Sequence, residues 1–195
     1  MPVLRVHFFY TGETASDFVT TAKAQVDKGN AFLRAQGANI QIERYPKDKA
    51  GTAIQGLGRP VISDDKKGAG DRLTLRDQCH VAEPNPNPPR VPVIFCRFDG
   101  TRDVGETVRN NWLPYILIDV KRAAPDGLTL LHEIGHCVGL RHPGDGSALM
   151  EGEDDNFMGY GQFNFTSQGV TSERLDRCGS YPWQITALRT AYFYG

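Results

Sequence analysis

Apolar and polar positions alternate from Val3 and become wholly apolar at Phe8-Phe9-Tyr10, before Thr11-Gly12 breaks the run. That is the pattern of a strand. Ser16 then stands where a helix would be capped, and Phe18, Val19, Ala22, Val26, Phe32 and Leu33 recur at helical spacing up to Gly37, which predicts an amphipathic helix. Ile40 to Tyr45 predicts a second strand closed by Pro46, and residues 46 to 71, rich in Gly, Lys and Asp, an irregular excursion. Two more strands are expected at Arg72 to Cys79 and Val91 to Phe98. Between them, Glu83-Pro-Asn-Pro-Asn-Pro-Pro-Arg90 suits neither a helix nor a central strand, because proline fixes φ and removes a donor. It predicts a stiff surface loop, with a proline-motif ligand for a partner as the alternative. Tyr115 to Val120 is the most apolar strand, Pro125-Asp126-Gly127 turns the chain into a helix from about Leu128, and Tyr181 to Phe193 predicts a closing helix. The order strand, helix, four strands, helix, long loop, helix suits an α+β domain.

Composition narrows the function. The chain has 195 residues, 39% of them hydrophobic and 23% charged, as expected of one globular domain with a real core. A formal net charge of -1 lacks the basic excess of a nucleic-acid binder. No apolar run approaches the roughly 20 residues of a membrane span. The start, Met-Pro-Val-Leu-Arg-Val, has no basic region followed by a long apolar one, so no signal peptide is visible. Cys79, Cys96, Cys137 and Cys178 are compatible with two disulfides (Cys79 with Cys96 across the proline loop, Cys137 with Cys178) or with four thiols.

The chemistry gathers in His132-Glu-Ile-Gly-His-Cys-Val-Gly-Leu-Arg-His142. Residues four apart share a helix face, so the imidazoles of His132 and His136 can reach one ion, and Glu133 beside them can reach a water without being a ligand. Leu130, Leu131, Ile134, Val138 and Leu140 supply the apolar side. A third ligand six residues past His136 requires the chain to bend, and Gly139 is the residue able to take φ > 0 there. Three imidazoles leave a fourth zinc position open, the arrangement of a catalytic rather than a structural site. His7 and His80, by contrast, predict structural roles, since nothing pairs them with this cluster.

The pattern His-Glu-x-x-His-x-x-Gly-x-x-His resembles the signature of the metzincin clan of zinc endopeptidases, over about residues 128 to 160. The resemblance implies a twisted, mostly parallel sheet with an antiparallel edge strand, an active-site helix, a methionine turn beneath the metal and a C-terminal helix. It divides 1–195 into an upper lobe of about 1–142 and a lower lobe of about 143–195. Met150 lies eight residues after His142, a spacing similar to matrixins, whereas Asn156-Phe-Met-Gly-Tyr160 resembles the Met-x-Tyr turn of serralysins and astacins. Met158 is the better match, and it implies that Tyr160 binds the resting metal and swings to hold the oxyanion. The subfamily stays open; the calcium-binding repeats of serralysins are missing.

The implied activity is zinc-dependent peptide hydrolysis, with His132, His136 and His142 as ligands and Glu133 as the base and then the acid. The substrate would be a protein or peptide, extended along an edge strand around Asp103 to Val108 and walled by Gly161 to Thr166. A monomer is expected, with no nucleic-acid partner. The acidic run Glu151, Glu153, Asp154, Asp155 predicts a solvated loop; a structural Ca²⁺ there is the weaker alternative, since EF-hand spacing is missing. A secreted or extracellular setting, such as that of an exported bacterial protease or toxin, is favoured, because an uninhibited protease endangers its own cytosol. Competing readings are a zinc-binding interaction module without catalysis, against which Glu133 argues, and a hydrolase of non-peptide amides.

Overall fold

The structure, a computed structural model, describes residues 1–62, 65–99, 104–109, 113–123, 127–142, 156–159 and 182–195. Strand β1 (Val3–Thr11) passes through a short 3-10 turn (Gly12–Thr14) into helix α1 (Ala15–Ala35). Then come β2 (Gln41–Tyr45), β3 (Thr52–Ile54), β4 (Val61–Ile62) and α2 (Asp65–Ala82). Strands β5 (Val91–Cys96), β6 (Phe98–Asp99), β7 (Gly105–Val108) and β8 (Tyr115–Asp119) precede α3 (Thr129–Cys137) and α4 (Pro182–Leu188). The main sheet runs β2-β1-β5-β8-β7, with β3 continuing beside the far end of β1, and β4 pairs with β6 separately. All pairings in the main sheet are parallel except β7 with β8. The protein is therefore α+β, with a mostly parallel mixed sheet, an antiparallel edge strand and four helices among the described residues.

Period-two alternation sends the two faces of the central strands into two cores. Val6, Phe8, Val93, Phe95, Ile116 and Ile118 pack with α1 and α3. Phe9, Ile94, Cys96, Tyr115 and Leu117 pack with Leu75 and Cys79 of α2. Strands covered on both faces must be apolar throughout, and β8 is buried at all five positions. This explains why Tyr115 to Asp119 stands out so clearly in the sequence.

Three expectations need correction. Arg72 to Cys79 is the C-terminal part of helix α2, not a strand. Its buried positions, Asp71, Arg72, Leu75 and Cys79, recur every three or four residues; Leu73, which made the segment look alternating beside Leu75, is exposed. The excursion 46–71 holds β3, β4 and the start of α2. Ser16 does not cap α1: Thr14 occupies that position without a side-chain cap, and its hydroxyl turns instead to the carbonyls of Thr11 and Phe95. Within α1, Val19 faces solvent, whereas Phe18, Ala22, Gln25, Gly29 and Phe32 form the buried stripe.

The closing helix is shorter than expected. After α4 the chain turns back so that Tyr194 bridges Leu4 of β1, with Val3 and Gly195 exchanging backbone hydrogen bonds of 2.8 and 3.0 Å. Phe157, Met158, Ile185, Leu188 and Phe193 belong to the same core as α1 and α3. No helix among the described residues is long and apolar enough to cross a membrane.

Candidate metal centre

Helix α3 is buried along nearly its whole length, so its polar groups must find partners inside the protein. Its first turn has no side-chain cap of its own. Gln25 of α1, fully buried, accepts the Leu130 N–H at 2.8 Å instead. At the other end the Leu140 N–H reaches the Gly135 carbonyl and the Gly139 N–H that of His136, both at 3.0 Å. With Gly139 at φ 91°, this is the Schellman ending of a helix, which glycine makes without strain. The bend expected at Gly139 is present, and it returns His142 to the helix.

The three imidazoles meet there. The Nε2 atoms of His132 and His136 are 3.1 Å apart, and each lies 3.2 Å from Nε2 of His142. Tetrahedral ligands about 2.0–2.1 Å from an ion are separated by about 3.3–3.4 Å, close to the observed triangle. The tautomers agree with this. His132 Nδ1 faces the Phe157 carbonyl at 2.9 Å and His136 Nδ1 faces the Leu140 carbonyl at 2.8 Å. A carbonyl only accepts, so both Nδ1 atoms carry the proton and both Nε2 atoms present lone pairs to the common point. Burial, reinforced by His136, pushes the His132 pKa down to about 3, which keeps its imidazole neutral and fit for ligation. The three histidines can therefore hold a metal ion.

Glu133 is also buried. The Thr107 hydroxyl of β7 lies 2.7 Å from its Oε2 and 2.8 Å from its backbone carbonyl; its single proton serves one or the other. Gly105, two residues earlier, comes so close that a Cβ there would stand 2.8 Å from Oε1 and 2.9 Å from Thr129 Cγ2. The edge strand is itself tied down by Arg72 of α2, whose Nε donates to both carboxylate oxygens of Glu106 at 2.8 and 2.9 Å.

Beneath the helix, residues 156–159 form a turn closed by the Gly159 N–H to the Asn156 carbonyl at 2.8 Å. The Asn156 side chain accepts the Met158 N–H at 2.9 Å and exchanges two 3.0 Å hydrogen bonds with Gln184 of α4. Met158 is fully buried, its sulfur against Gly135 between the two helical histidines. Phe157 packs on Phe32 of α1, with ring centroids 5.5 Å apart. Met158 thus lies under the histidines; Met150, Tyr160, the acidic run 151–155 and the segment 161–166 lie outside the described residues.

Sequence reasoning missed Thr107, Gly105, Gln25 and Gln184. The two glutamines left a signal, a polar side chain on a buried helical stripe. The other two lie in the edge segment expected around Asp103 to Val108, of which Gly105–Val108 is a strand and Asp103 is outside the described residues; their contacts with Glu133 depend on how that strand meets the helix, which no local pattern states. Of the two states open to the cysteines, the thiol holds for three: Cys79, Cys96 and Cys137 are free and buried, and they fill the cores as small apolar groups. Cys178 lies outside the described residues. Compared with protein-family models and with curated proteins, the chain has no match.

Proposed function

We propose that the protein is a zinc-dependent endopeptidase of the metzincin kind. The observation that carries this reading is the triangle of histidine nitrogens, with His132 and His136 donating from their far sides to backbone carbonyls, beside the buried Glu133 of the same helix. A structural site has no use for a buried carboxylate beside its ligands. A zinc ion bound by the three imidazoles would lower the pKa of water to about 7 and polarise a scissile carbonyl.

The chain's own residues do the rest. Glu133 takes the proton of the attacking water and delivers it to the leaving amine. Thr107 and the bare backbone at Gly105 hold that carboxylate in one orientation. The antiparallel edge strand β7, beside the helix, would accept an extended peptide through main-chain hydrogen bonds. Tyr160, two residues beyond Met158, is the further oxyanion donor that this family reading assigns.

The test is cleavage of an unfolded protein such as reduced casein by wild type and by Glu133→Ala, with zinc measured in both. Cleavage by wild type alone, at equal zinc content, is expected. Full zinc in wild type without cleavage of any peptide in a broad library would replace this reading with a metal-dependent binding module.

A further inference from the structure

Strand β7 and the residue after it run alongside α3 in the same sense, and alternate residues meet successive turns of the helix. Gly105 stands against Glu133 and Thr129. Thr107 reaches the Glu133 carboxylate and carbonyl at 2.7 and 2.8 Å. Arg109 comes next: its guanidinium nitrogens lie 3.5 and 4.0 Å from where a Cβ on Gly139 would stand. Successive side chains of a strand point to opposite faces, so the even positions serve elsewhere, Glu106 on Arg72 of α2 and Val108 in the second core. The row that faces α3 is therefore bare backbone, hydroxyl and cation. The cation sits against the bend that joins His136 to His142.

Arg109 is exposed, and its side chain makes no ion pair or hydrogen bond among the described residues. A cation also suits a helix C-terminus, yet the end of α3 is closed by the N–H groups of Gly139 and Leu140, and Arg109 donates to neither of the carbonyls they use. Two residues of strand span about 7 Å, which is the reach from Thr107, where Glu133 is held, to Arg109. Strand β7 is the edge of the sheet and pairs only with β8. In a peptide laid along that edge, the residue opposite Arg109 shares its face and lies two or three residues from the carbonyl that Glu133 serves. Antiparallel pairing, the more stable kind, puts that residue on the N-terminal side of the cleaved bond.

We propose that Arg109 makes the site selective for peptides with an acidic side chain two or three residues before the cleaved bond. This inference rests on the peptidase reading above and adds to it the class of substrate.

A cleavage-site profile of a mixed peptide library, read by mass spectrometry, tests this with the zinc-loaded full chain, Arg109→Gln and Arg109→Glu. Wild type should enrich Asp and Glu at the second or third residue before the cut, Arg109→Gln should lose the enrichment, and Arg109→Glu should favour Lys and Arg there. In one cleaved peptide carrying Glu or Gln at that position, kcat/KM should favour Glu about three- to fivefold, as expected of a solvent-accessible charge pair. The difference should lie in KM and vanish in about 1 M salt, where the screening length is about 3 Å. The Gln peptide should be cut equally by wild type and Arg109→Gln at equal zinc content. Cleavage without an acidic preference before the cut, or with one that Arg109→Gln leaves unchanged, would overturn the proposal and leave the peptidase reading standing. A lower melting temperature in Arg109→Gln with an unchanged profile would make Arg109 an anchor of the helix end instead. Full zinc without any cleavage would overturn the peptidase reading, and this proposal with it.

Discussion

Gly135 stands between two histidine ligand positions in the middle of α3, and its replacement by alanine probes the floor of the metal centre. In an ordinary helix this change stabilises by about 0.5–1 kcal/mol, through lost backbone freedom in the unfolded chain. Here the added Cβ runs into the Met158 sulfur, with Met158 Cε at 3.2 Å and Leu140 Cδ1 at 3.3 Å. Overpacking of this kind costs about 1–3 kcal/mol, so a net loss of about 1–2 kcal/mol is expected. The same push moves the turn whose Phe157 carbonyl holds His132 Nδ1, and loss of such an orienting contact lowers metal affinity about ten- to hundredfold. Met158→Ala alone removes a fully buried side chain, at about 2–5 kcal/mol. Combined with it, Gly135→Ala meets no sulfur and its helix preference is restored, so the double variant should lose about 2 kcal/mol less than the two single losses added together. Urea unfolding of metal-stripped protein gives the four stabilities, and competition with a chelator gives the affinities. Strict additivity, or a Gly135→Ala variant as stable as wild type, would refute the placement of Met158 against the helix.

Thr107→Val keeps the shape of the side chain but removes the donor to Glu133; turnover should fall about tenfold while zinc content holds, as expected for a group that positions a catalytic base, and steady-state kinetics with metal analysis would show it. Burial holds the His7 pKa down at about 4, against an ordinary 6.5. Between those values the unfolded chain binds a proton that the folded one refuses, so stability is full above about pH 6.5 and falls as pH drops towards 4. His7→Gln should flatten that part of a pH–stability profile, and an unchanged profile would contradict it. Cys79, Cys96 and Cys137 are buried, and burial raises all three thiols. Site-resolved mass spectrometry should find them unalkylated in the folded protein and alkylated in urea.

The parts of this molecule that could be read from the chain are those whose cause is local. Tyr115 to Asp119 is apolar on both sides because both sides are covered, and Gly139 is a glycine because the helix ends there in a left-handed residue. Histidines four apart meet because a helix puts them on one face. Where the cause is distant, the sequence misleads or is silent. Leu73 and Leu75 imitate a strand until α2 is seen to bury Leu75 and Cys79 and leave Leu73 outside. Thr107 resembles any other strand threonine until β7 is laid antiparallel against β8 beside α3. The proline loop shows its stiffness in its composition, yet a cavity lies beneath it because His7, Pro92 and Tyr115 fall in one row across three strands.

On the proposed function, metal at the three histidines would make Glu133 an active base towards peptides. The most direct measurement is zinc titration of chelator-stripped protein while cleavage of a quenched fluorescent peptide is followed. Activity should rise in proportion to zinc and level off at one ion per chain, with His142→Ala failing to reach it. Cleavage without metal, or full occupancy without cleavage, would contradict the account.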